Sequence, residues 1–160
     1  MISVALTGTV ARKHCCLRSG GRPGDALFVT GRLGGSLSGK HLRFEPRLAE
    51  ATWLASNFKP RAMMDLSDGL AADLPRLAEA SGCGFEIDPA SVPRTRSCSI
   101  EAALTDGEDY ELLFAIPPSK ATALTAAWSK KFPKLPLARI GTLAKPGTAT
   151  PDLRGGWTHF

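Results

Sequence analysis

The sequence predicts a mixed α+β fold, a layered α/β sandwich. Short apolar runs bounded by Gly and Pro alternate with longer segments whose apolar residues repeat at helical spacing. No internal repeat or low-complexity stretch interrupts that interleaving, and 160 residues suit one domain with a substantial core.

Taken in order, Ser3 to Ala11 is rich in β-formers and reads as a first strand. A turn-rich loop, Arg18 to Asp25, leads to a second strand over Ala26 to Thr30. Gly31 to Gly39 is a flexible Gly/Ser stretch, after which Pro46 opens a helix that Pro60 stops. Leu48, Ala51, Ala55 and Phe58 form its expected apolar stripe. Ala62 to Asp65 reads as a short strand running into Ser67-Asp68-Gly69. Leu70, Leu74, Leu77 and Ala78 then mark a helix ending at Ser81-Gly82, with Pro75 awkward inside it and Asp73 expected to cap a restart. Phe85 to Asp88 is a strand, Ser97 to Leu104 a short helix and Tyr110 to Ile116 a buried strand. Ser119 to Phe132 is a helix whose Lys130-Lys131 suit its negative end, and Leu137 to Leu143 is a last strand before a Gly/Pro-rich tail.

Composition narrows the function classes. No run approaches the ~20 apolar residues that span a bilayer, and the start lacks the succession of a signal peptide, so a cytoplasmic protein without membrane contact is expected. The net charge of +5 is dispersed, with no basic block and no interleaved aromatic ladder. That dispersion speaks against nucleic acid, and a mildly cationic surface that attracts phosphorylated small molecules explains the charge equally well. Cys15, Cys16, Cys83 and Cys98 form no C-x-x-C pair and read as free thiols. His14, His41 and His159 sit in no catalytic pattern.

Three segments carry chemistry, the last of them weak on its own. Asp65-Leu66-Ser67-Asp68-Gly69-Leu70 sets two carboxylates and a hydroxyl at a strand-to-helix corner. Magnesium wants hard oxygen ligands and shares them with phosphate, and a helix amino terminus adds donors for anions. The competing reading is that Ser67 or Asp68 only caps the helix. Asp106-Gly107-Glu108-Asp109-Tyr110-Glu111-Leu112 crowds acids immediately before a buried strand, either around a cation or as a solvated loop. The glycines after Thr30 would let backbone amides approach phosphate, although the spacing is neither a P-loop nor a dinucleotide fingerprint.

These segments, with Leu17-Arg18-Ser19-Gly20, Pro23-Gly24-Asp25, Val29-Thr30-Gly31-Arg32-Leu33-Gly34 and Gly156-Trp157-Thr158-His159-Phe160, give the chain its resemblance to the thiamine-monophosphate kinase family. That family lies in the superfamily of aminoimidazole ribonucleotide synthetase and selenophosphate synthetase. The resemblance implies the carboxy-terminal domain of the aminoimidazole ribonucleotide synthetase-like fold, and ATP-dependent phosphorylation of thiamine monophosphate by a magnesium-dependent homodimer. Carried over by position, Asp65 and Asp68 would bind Mg2+, Arg18 and Ser67 would contact ATP, and Glu108 and Trp157 the thiamine substrate. On this basis 1–160 is a single carboxy-terminal domain, expected to be inactive alone because the amino-terminal ATP-binding domain of the family is absent from the sequence. A non-catalytic binding or dimerisation module, or a sister ATP-dependent enzyme, is the alternative. Asp106 stands where the family usually has Gly.

Overall fold

The structure, a computed structural model, describes residues 3–150, 153, 155 and 156. Five strands form one sheet: β1 (Ala26–Thr30), β2 (Ala62–Asp65), β3 (Gly84–Ile87), β4 (Leu112–Ile116) and β5 (Leu137–Ala144). Their spatial order is β2-β4-β1-β5-β3, with every neighbouring pair antiparallel. Helices α1 (Leu48–Asn57), α2 (Leu70–Ala80), α3 (Ile100–Thr105) and α4 (Pro118–Lys131) fill the intervals.

The alternation of side chains along a strand explains the layering. In β1, Leu27 and Val29 point into a core shared with α2 and α3, whereas Ala26 and Phe28 point into a second core with α1 and α4. In β4, Leu113 and Ala115 face the first core, and Leu112, Phe114 and Ile116 the second. Both central strands are therefore buried on both faces, which is why they read as unbroken apolar runs. Each fully buried Leu or Phe contributes about 1.5–3 kcal/mol before entropy is counted. Trp128 anchors the second core, its Nε1 donating to the Leu135 carbonyl at 2.8 Å.

The sheet edges are partly covered. On β2, Met63 N–H donates to the Leu17 carbonyl at 2.9 Å, and on β3, Phe85 N–H donates to the Thr148 carbonyl at 2.9 Å. Among the described residues no helix is long and apolar enough to cross a membrane.

Three expectations need correction. Ser3 to Ala11 forms no strand; it is exposed chain leading to a 3-10 turn at Arg12–His14, with Leu6 91% exposed. A β-rich composition makes a strand only where a neighbour offers a ladder, and none of the described residues does so here. In α1, Ala55 is buried and Ala51 and Phe58 pack against the second core as expected, but Leu48 is exposed and Leu54 is buried there instead. Finally, α2 runs unbroken through Pro75. The missing N–H removes one bond, and burial of Leu70, Leu74 and Leu77 holds the helix across it.

Because β1 and β2 both run antiparallel to β4, they are parallel to one another. Thr30 and Asp65 consequently end at the edge of the sheet where β4 begins. The loops after β1, after β2 and before β4 meet there.

Candidate functional site

The two acidic motifs, some forty residues apart in sequence, are joined by backbone hydrogen bonds. Glu108 N–H donates to the Ser67 carbonyl at 2.7 Å, Tyr110 N–H to the Leu66 carbonyl at 2.8 Å, and Leu66 N–H to the Glu111 carbonyl at 2.8 Å. The chain around Asp109 is sharply bent: Glu108 and Tyr110 both hold left-handed backbone, with φ of 52° and 51°. Such residues cost on the order of 1–3 kcal/mol each and persist where the surroundings over-determine them.

The bend sorts the acids into two groups. Asp109 and Glu111 turn inward and are almost fully buried. Asp109 accepts the Gly34 N–H at 3.0 Å and the Lys40 Nζ at 3.0 Å. Glu111 accepts Nε and Nη2 of Arg47, both at 2.8 Å, and the Thr30 hydroxyl at 2.7 Å. Gly31, at φ 64°, lies so close that a Cβ there would overlap the Glu111 carboxylate, which accounts for glycine at this turn. Asp106 accepts the Gly35 N–H at 2.7 Å. These inward acids fasten the glycine loop after β1 to the start of β4.

Glu108 and Tyr110 remain partly exposed on the other side, with Tyr110 stacked on Phe44 at a centroid separation of 4.1 Å. The Tyr110 phenol is pushed up by burial first, and then by the carboxylates of Glu108, Asp65 and Asp68. Those three acids all act on the charge of one phenol. Asp65 is exposed, while Asp68 is half-buried and paired with Arg76.

Asp73 organises this corner, in a role that differs from capping a restarted helix. It lies in the first turn of a helix that has already begun, is fully buried, and accepts the N–H groups of Ser67 at 3.0 Å and Asp68 at 2.9 Å. Arg76 Nη1 completes its shell at 2.9 Å. Ser67 and Asp68 are thus the capped groups rather than the caps. The Asp68 side chain pairs with Arg76, and both Ser67 and Asp68 are half-buried.

Of the site residues expected from sequence, the structure brings together Asp65, Ser67, Asp68 and Glu108. Arg18 stands elsewhere: its carbonyl lies near the hydroxyl of Ser81, at the far end of α2 from Ser67. Trp157 lies outside the described residues, although Gly156 before it packs against Ala72 and the Asp68 carbonyl. Among the described residues no group of three His, Cys, Asp or Glu side chains is placed to hold a metal. The four cysteines are free thiols.

Burial pushes the Asp109 carboxyl above the ordinary aspartate range, and Lys40 and the Gly34 amide only partly offset this. The folded chain then holds this proton more tightly than the unfolded chain. Its contribution to stability is full below the ordinary aspartate pKa and is lost as pH rises through the raised value. Urea unfolding at several pH values checks the sign. As pH falls from neutral toward the ordinary aspartate pKa, the stability of the wild type relative to Asp109→Asn should increase; a relative decrease would contradict it.

Residues 22–152 match the family model described as "AIR synthase related protein, C-terminal domain". The chain belongs to that family. Within it, the chain is similar to thiamine-monophosphate kinases. It is 36% identical to that of Rhodopirellula baltica over 151 residues, covering 88% of this chain and 46% of the relative. The thiamine-monophosphate kinase structure from Stenotrophomonas maltophilia K279a superposes with a TM-score of 0.76 at 27% identity, covering 88% of this chain and 54% of that one. The structure described as AaThiL complexed with AMPPCP and TMP superposes with a TM-score of 0.64 at 29% identity, over 91% of this chain and 54% of that one. The chain spans about half the length of the curated relatives it matches.

Proposed function

We propose that this chain acts as the carboxy-terminal domain of a kinase that transfers a phosphoryl group from ATP to thiamine monophosphate, giving thiamine diphosphate. The observation that carries the proposal is the hydrogen-bonded junction of Asp65–Leu70 with Glu108–Leu112, which groups Asp65, Ser67, Asp68 and Glu108 at one sheet end. Support comes also from the family match and from relatives that carry this activity in their names.

The donor set fits magnesium that arrives with a nucleotide better than a metal held by protein alone. Two hard carboxylates, Asp65 and Asp68, would hold it, and remaining positions fall to phosphate and water. Bound magnesium neutralises charge on the transferring phosphoryl group. The chain's own residues do the positioning. Asp73 takes the Ser67 and Asp68 amides, so the Ser67 hydroxyl is the group left to meet a phosphate. Arg76 shares Asp68 with any incoming cation and keeps its second contact on Asp73. Glu108, outward on its bent backbone, and Trp157 are assigned to the cationic thiamine rings, where a carboxylate and an aromatic face both attract positive charge. Arg18 is assigned to ATP by motif position alone. We infer further that the working enzyme is a cytoplasmic homodimer.

The test is product formation. The native polypeptide carrying this chain, given ATP, magnesium and thiamine monophosphate, should form thiamine diphosphate stoichiometrically with ADP. Binding of both ligands with no product would instead assign the chain a non-catalytic role.

A further inference from the structure

A cavity of about 710 Å³ lies between the loop after β1 and the segment joining β3 to α3, lined in part by Arg32, Arg94, Thr95, Arg96, Ser97 and Ser99. None of its lining residues is acidic. Its walls are pinned by backbone bonds: Leu33 N–H to the Pro93 carbonyl at 2.8 Å and Thr95 N–H to the Leu33 carbonyl at 2.9 Å. Gly35 allows the close approach, since a Cβ there would sit 2.7 Å from the Cys98 sulfur. The loops that frame the opening are therefore held by backbone bonds, with Arg32, Arg94 and Arg96 exposed upon it.

The arginines are under-used within the protein. Arg32 spends one N–H on the Arg94 carbonyl at 3.1 Å, and Arg94 spends one on the Cys98 carbonyl at 3.3 Å. Neither is paired with a carboxylate among the described residues, and Arg96 has neither a hydrogen bond nor an ion pair there. A guanidinium carries five donors in a planar fork that matches phosphate oxygens two at a time. Holding three such cations around one concavity costs mutual repulsion, which a multiply charged anion relieves. Seryl and threonyl hydroxyls on the same wall add neutral donors. With no aromatic residue in the lining, there is no surface for base stacking, so a confined small molecule fits better than a nucleic-acid strand.

We propose that this cavity binds the phosphate or diphosphate group of a small molecule, separately from the acidic corner and independently of the kinase assignment. The probe is inorganic pyrophosphate, titrated into the isotopically labelled 160-residue chain at fixed ionic strength and followed by amide NMR. Saturable shifts are expected at Arg32 and Arg94–Ser99. They should persist in Asp68→Asn, which alters the corner but not the cavity. Because Arg96 supports no contact of the fold, Arg96→Glu should keep the rest of the spectrum while weakening pyrophosphate at least about tenfold. Shifts confined to Ser67–Gly69, no saturable shift, or unchanged affinity in Arg96→Glu would each overturn the proposal. So would displacement of pyrophosphate by a single-stranded oligonucleotide that binds the same residues more tightly.

Discussion

Replacing Glu111 with alanine is expected to destabilise the domain by about 3–5 kcal/mol, because it breaks a buried ion pair while leaving its cation behind. Arg47 reaches Glu111 with two donors at 2.8 Å, and the Thr30 hydroxyl donates to it at 2.7 Å. Alanine removes all three acceptor contacts and opens space under the Gly31 turn. For a domain of this size the thermal midpoint should fall on the order of 10 °C. The informative control is Glu108→Gln. Glu108 is partly exposed on the outward side of the same bend, so its loss should change stability by no more than about 0.5 kcal/mol. Equal destabilisation by both substitutions would show that the bend does not divide the acids into fasteners and binders.

The second large effect falls on activity. In the native polypeptide, Asp68→Asn should lower kcat/KM for thiamine monophosphate by on the order of a hundredfold or more, and raise the magnesium concentration needed for half-maximal rate. Stability should change by only about 1 kcal/mol or less, since Arg76 is substantially exposed and keeps its contact with Asp73. Kinetics across a magnesium series, alongside urea unfolding, separate the two quantities. Unchanged turnover with normal stability would reduce Asp68 to an ordinary surface partner of Arg76.

Much of this architecture is legible in the sequence. β1, β2 and α4 are recognisable because each has clear punctuation: Gly31 ends β1, the Ser67-Asp68-Gly69 turn follows β2, and Lys130-Lys131 mark the end of α4. The meeting of the two acidic motifs was not legible, because strand order places β4 beside β2 only once the whole sheet exists. Nor was the direction of each acid. Asp106, Glu108, Asp109 and Glu111 read as one acidic cluster, and only the two left-handed backbones turn Asp109 and Glu111 inward. Asp73 was visible as a capping residue, but its partners lie before the helix, across a turn that sequence does not shape. Ser3 to Ala11 misled through composition, since strand propensity says nothing about whether a pairing edge is within reach. The cavity between Arg32 and Arg96 is not legible in the sequence because its cations come from separate loops.

One measurement bears most directly on the corner. Manganese stands in for magnesium and broadens nearby resonances, so the native polypeptide can be titrated with manganese and the non-hydrolysable nucleotide AMPPCP. Amides of Leu66–Gly69 and Glu108–Tyr110 should broaden first, and the effect should be lost in a variant carrying both Asp65→Asn and Asp68→Asn. Broadening that begins elsewhere, or that survives the double substitution unchanged, would mean that these carboxylates do not gather the cation of a bound nucleotide.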